Sequence, residues 1–161
     1  MPYAVTHALI PIILVDTVRD HVFKMKKGFL PNRYVLLAGI AGMLPDIDLL
    51  FTPYLHRTIT HSIWFPLIFF FGFLLSYTLQ KKKLYKIFLM LFAGFSLHIL
   101  MDATLLGSVA PLFPLDPTEI GLNILSPLVS LGPDVFPTID AILLFLWLIL
   151  EELEHNISEY L

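Results

Sequence analysis

The 161-residue chain contains no cysteine, which excludes disulfides and thiolate metal sites. Charge is scarce as well. Asp, Glu, Lys and Arg together make up 14% of the residues, against 57% apolar. With a mean hydropathy of +0.81, that balance lies outside the range of soluble globular domains and indicates an integral membrane protein. A basic excess is missing too: the net charge is −3 with no basic tail, which argues against nucleic-acid binding. Met1-Pro2-Tyr3 lacks the basic region that opens a signal peptide, so the first apolar stretch, which carries His7, reads as a retained helix. No Gly-x-Ser-x-Gly elbow and no P-loop occurs, so serine hydrolases and nucleotide-driven enzymes lack their usual markers.

What is present is apolar and continuous. Five stretches, at about 2–18, 34–51, 62–79, 84–106 and 138–153, come close to the roughly 20 residues that span ~30 Å of hydrocarbon. None shows the alternation of a lipid-facing strand, so helices are expected. The expected fold is therefore all-α: a polytopic transmembrane bundle of about five helices, forming one domain over residues 1–161. Ala38, Gly39, Ala41 and Gly42 would let a neighbouring helix approach closely. Between helices four and five, residues 107–137 hold six of the twelve prolines. Their Leu, Ile, Val and Phe content predicts an ordered external cap with short helices rather than disorder.

Basic residues set the expected topology. Of the ten Lys and Arg, five (Arg19, Lys24, Lys26, Lys27, Arg33) fall between helices one and two, and four (Lys81, Lys82, Lys83, Lys86) between three and four. By the positive-inside rule both connections are cytoplasmic, the N-terminus is outside and the acidic tail Glu151-Glu152-Leu153-Glu154 is inside. Arg57 is then the one basic side chain on the outer face. Asp16, Asp20, His21, His155 and the terminal glutamates read as solvated, Asp116, Glu119 and Asp134 as surface acids, and Asp140 as favouring a helix N-terminus.

Acids and histidines at membrane depth are different, because each ionised group costs roughly 2.5–3.5 kcal/mol at a helix centre. Counting ~1.5 Å per helical residue from the basic ends puts His7, Asp46 and His98 about 18–20 Å up, Asp102 about 24 Å and His61 about 29 Å. Four helices thus bring ionisable groups to one outer layer. His98 and Asp102, four apart, share a helix face. Pro45 predicts a distorted helix end at Asp46 and Asp48 with freed carbonyls nearby. Thr60 is placed to cap helix three just before His61.

Together His7, Asp46, Asp48, His61, His98 and Asp102 offer three imidazoles and three carboxylates as metal ligands. Two divalent ions would bring these from −3 to +1, a balance suited to an anionic substrate. Nitrogen and oxygen donors without sulfur favour Zn²⁺ first, with Mn²⁺ or Fe²⁺ next. A metal pair activates water, so hydrolysis is the natural chemistry. Arg57 offers a fork for phosphate or carboxylate, and His56 can protonate a leaving alkoxide. Plainer readings stand beside each. His98 and Asp102 could form an interhelical clamp, the two carboxylates could cap a helix, His61 could bond the backbone, and Arg57 could snorkel to headgroups.

In this order, a first-helix histidine, Gly42-Met43-Leu44-Pro45-Asp46-Ile47-Asp48, His56-Arg57 with Thr60-His61-Ser62, and His98 with Asp102 before Pro111-Leu112-Phe113-Pro114, the chain resembles the YdjM-like family over roughly residues 1–115. The resemblance implies an inner-membrane, metal-dependent hydrolase. It also brings a LexA-binding label that these residues do not themselves explain. The expected activity is a phosphoesterase acting through metal-activated water on a lipid or lipid-linked substrate reached from the outer leaflet. Membrane lipids are the expected partners. Two alternatives remain: a zinc amidohydrolase on N-acyl lipids, similar to membrane ceramidases, and a metal or ion transporter using the same Asp and His cluster. Transport would call for acids on both sides of the midplane, and the inner halves of helices two to four have none.

Overall fold

Pro45 decides how the second apolar stretch folds. Its ring fixes φ and supplies no N–H. The α-helix that begins at Asn32 therefore closes at Met43, and the chain tightens into a 3₁₀ turn over Leu44–Leu50. The computed structural model describes residues 4–22, 29–51 and 56–153. In chain order its α-helices are α1 (Ala4–Thr17), α2 (Asn32–Met43), α3 (Trp64–Thr78), α4 (Lys82–Thr104), α5 (Ser126–Val129) and α6 (Val135–Leu153). A helix thus stands at each of the five apolar stretches, with the single-turn α5 in the proline-rich segment. Among the described residues there is no strand, only an isolated bridge between Val109 and Ile120.

Helix α4 is the hub, packed on α1, α2 and α3, while α6 packs on α1. Small residues set the closest crossings. A Cβ added at Gly94 would lie 2.3 Å from the Ala38 carbonyl oxygen, and one at Gly42 would lie 2.2 Å from that of His7. Leu9, Ile12 and Val35 close the α1–α2 seam, and Leu30, Ala38 and Met90 the α2–α4 seam. On the other side of α4, Phe65 and Phe69 pack on Phe95, and Phe70 on Phe92.

Among the described residues one helix, α4 with 23 residues, is long and apolar enough to cross a membrane; α3 is apolar but has only 15. The other stretches fall short for visible reasons. Pro45 stops α2 after 12 residues, and the 19 residues of α6 include Asp140, Glu151 and Glu152. By length and composition, one helix among the described residues is thus capable of crossing, against the five expected.

Several charged residues do not sit as the sequence suggests. Arg19 is buried and pairs with Asp16 (2.5 Å) and Asp20 (2.6 Å), and it donates to Asn32 Oδ1 at 2.7 Å. This is a closed polar knot, not a solvated loop. Asp140 lies inside α6, where it takes hydrogen bonds from the first-turn amide and the hydroxyl of Thr6 on α1 instead of favouring the start of its own helix. Lys24, Lys26, Lys27, Glu154 and His155 lie outside the described residues.

The cap is ordered. Amides of Leu122, Ile124 and Leu125 donate to the carbonyls of Ala103, Thr104 and Leu105 at the end of α4. The Ile63 amide and the Trp64 indole tie the start of α3 to Pro111 and Phe113. Hydrogen bonds from the Thr118 hydroxyl and amide hold the exposed Asp116 carboxyl below its usual value.

Candidate metal centre

In a 3₁₀ register the Gly42 carbonyl would look to the amide of residue 45, and proline has none. His98, reaching across from α4, donates its Nδ1–H to that carbonyl at 2.6 Å. The imidazole is thereby held with Nε2 pointing inward. One helical turn later on α4, Asp102 faces the same space, as the i,i+4 spacing requires. His61, from the segment before α3, and Asp46, from the 3₁₀ turn, complete a group whose donor atoms all lie within 4.8 Å of one another.

The distances are those of a small polyhedron. His98 Nε2 and His61 Nε2 are 3.0 Å apart. Asp46 Oδ1 lies 3.4 Å from His61 Nε2 and 3.5 Å from His98 Nε2, and Asp102 Oδ2 lies 3.5 and 3.7 Å from the same two atoms. A tetrahedron of donors at the ~2.0–2.1 Å typical of zinc has edges of about 3.3 Å. Five of the six edges among Asp46, His61, His98 and Asp102 are close to that length, so the group could hold a metal ion. His61, His98 and Asp102 are at most 1% exposed, whereas the Asp46 side chain is 29% exposed and marks the open side. Among the described residues neither oxygen of Asp102 has a hydrogen-bond partner. A buried carboxylate in that condition calls for positive charge, of which the Arg57 guanidinium, with Nη2 3.3 Å from Oδ1, supplies a part.

The remaining residues surround this group. His7 is buried with its ring 4.2 Å from that of His98 and its Nε2 3.3 Å from Asp102 Oδ1, outside the four-donor set. Asp48 forms a second group with His56 and His61. There Asp48 Oδ1 accepts from His56 Nδ1 at 2.7 Å and Oδ2 accepts from the Thr60 hydroxyl. Among the described residues His56 Nε2 has no hydrogen-bond partner, and it lies 3.9 Å from Asp46 Oδ1.

Arg57 is drawn into the centre instead of snorkelling outward. Its Nη2 lies 3.3 Å from Asp102 Oδ1, and its guanidinium donates to the carbonyls of Leu106 and Ser108 at 3.4 Å. The backbone of Arg57 sits at φ 66°, a left-handed conformation uncommon for a non-glycine residue. Gly107 makes room for it. At φ +127° no side chain is favoured there, and an added Cβ would come within 1.7 Å of Arg57 Nη1.

All eight residues singled out in the sequence thus meet in one place. Three features were missed. Thr60 does not cap α3, whose cap position is Ile63 without a side-chain bond; its hydroxyl serves Asp48. Gly107 and the Leu106 and Ser108 carbonyls carry no side-chain chemistry, so nothing in the sequence pointed to them.

A family model described as YdjM inner membrane protein matches residues 1–150. No curated protein and no solved structure matches the chain.

Proposed function

Because the chain belongs to the YdjM family of inner membrane proteins, we propose that it is a membrane-embedded, metal-dependent hydrolase, specifically a phosphoesterase acting on a lipid or lipid-linked substrate. The observation that carries this reading is the buried Asp46, His61, His98 and Asp102 group with an arginine fork beside it. Zinc suits two imidazoles and two carboxylates without sulfur. When bound, such an ion would polarise a substrate oxygen and lower the pKa of water.

The chain's own residues supply the rest. Arg57, anchored by Asp102 and two carbonyls, presents a planar guanidinium to the phosphate oxygens and holds them where charge develops. His56 gives its Nδ1 proton to Asp48, which leaves Nε2 as the atom that takes up and returns a proton at the leaving oxygen. The partly exposed Asp46 edge is the side from which substrate approaches, and the residue 107–125 cap shields the other.

Ile68, Phe71 and Leu75 on α3 and Phe145 and Leu150 on α6 are exposed. These apolar surfaces support placing the shorter helices in lipid as well, giving five crossings with the centre toward the outer leaflet and the C-terminus in the cytoplasm. The test begins with metal analysis of protein purified without chelator. Turnover of a phospholipid panel and an N-acyl lipid panel follows, before and after chelation. Phosphate-ester cleavage that stops on chelation is expected. Protein carrying no ion, cleavage confined to N-acyl lipids, or metal uptake into proteoliposomes without lipid turnover would each sink the phosphoesterase reading.

A further inference from the structure

We propose that Asp48 and Thr60 form an outer anchor that holds the His61 ring with Nε2 turned to the four-donor group, and that Asp48 is not the ligand of a second ion. This rests on the metal-binding reading above. Hydrogen-bond chemistry assigns the roles. Carboxylate oxygens only accept, so the Thr60 hydroxyl gives its single proton to Asp48 Oδ2. Its oxygen is then left to accept from His61 Nδ1, 2.9 Å away. Nδ1 must carry the proton, and the neutral ring has its lone pair on Nε2.

His98 reaches the same state through the Gly42 carbonyl. With both rings neutral, the two Nε2 atoms face each other at 3.0 Å with a lone pair on each. That arrangement is repulsive unless a cation touches both. Outer hydrogen bonds of this kind are how metal-binding histidines are oriented and made more basic.

The same logic weighs against a second ion at Asp48, His56 and His61. The nitrogens that face Asp48 are Nδ1 of His56, at 2.7 Å, and Nδ1 of His61, at 3.7 Å. Both carry protons. Backbone geometry agrees, because a 3₁₀ turn advances ~120° per residue. Asp46 and Asp48, two residues apart on that turn, point in different directions: one to the donors, the other to the anchors. A single carboxylate thereby sets the tautomer of two imidazoles.

Two measurements on the purified full chain test this. One is zinc stoichiometry and affinity by chelator competition; the other is ¹⁵N NMR of the histidine rings without metal, which reads each tautomer directly. Wild-type protein is expected to take one zinc and to show His61 protonated at Nδ1. Thr60→Val should weaken zinc binding about 10–100-fold and release the His61 tautomer, and Thr60→Ser should restore both. Wild-type affinity and an unchanged tautomer in Thr60→Val would overturn the anchor. So would two zinc ions per chain with one lost in Asp48→Asn. Nδ1–H at His61 in a wild-type chain that takes no zinc would defeat the metal reading and uphold the anchor. The wild-type readings decide even where Thr60→Val does not fold.

Discussion

Arg57 illustrates how far a side chain's role depends on the backbone around it. A lysine would keep a positive charge near Asp102 but lose the planar fork whose two nitrogens donate separately to Leu106 and Ser108. Arg57→Lys should therefore lower phosphate-ester turnover by about 10²–10³-fold, in the range found for loss of one charge-stabilising donor. Zinc content measured on the same preparation should stay unchanged. Asp102→Asn is expected to behave differently, costing zinc affinity at least about 100-fold, beyond the loss typical of an outer partner. Equilibrium dialysis separates the two variants. At this scale the sequence was legible where chemistry is unusual for its surroundings: a histidine and an aspartate four apart inside an apolar helix can hardly be missed. Thr60 was misread because a hydroxyl able to cap a helix is equally able to donate to a carboxylate. Gly107 was invisible because its contribution is the absence of atoms.

At the scale of elements, one proline and two glycines do most to place the centre. Pro45 ends α2 and frees the carbonyl that orients His98, and Gly42 and Gly94 let α1, α2 and α4 close to within backbone contact. Gly94→Ala would press a methyl group to 2.3 Å from the Ala38 carbonyl oxygen. Overpacking of this kind costs typically about 1–3 kcal/mol, so a lower unfolding temperature is expected. Because the α2–α4 crossing also carries the bond from His98 to Gly42, zinc affinity should fall with it. Thermal melts and dialysis of Gly94→Ala in detergent measure both, and unchanged values in the two would refute the close-packing account. The small residues at 38–42 were legible as a contact surface. Which helices press on them was not, since a glycine accepts any partner that fits.

For the whole molecule, the lack of cysteine becomes an experimental convenience. Single cysteines at Lys82 and at Leu115, both exposed, can be labelled with an impermeant thiol reagent in oriented vesicles. The proposed orientation predicts Lys82→Cys labelling from the cytoplasmic side and Leu115→Cys from the opposite side. Labelling of both from one side would reverse that assignment. Metal removal provides a second global readout. An ion that joins α4, the 3₁₀ turn and the segment before α3 binds only the folded chain. At 100 times its dissociation constant zinc should stabilise the protein by about 2.7 kcal/mol, and chelation should lower the melting temperature in wild type but not in Asp102→Asn.

By itself the sequence determined the apolar class of the protein, where its helices lie and which donors are available. Hydrophobicity, helical period and functional groups belong to residues and their near neighbours. The number of crossings did not follow in the same way, because Pro45 and the acids of α6 shorten the apolar lengths that the pattern implies. Only the tertiary structure decided that Asp46 and Asp48 face different ways, that His98 meets a carbonyl 56 residues distant, and that Arg57 turns inward to Asp102. Those outcomes depend on distances and lone-pair directions between segments far apart in the chain, which local sequence does not encode.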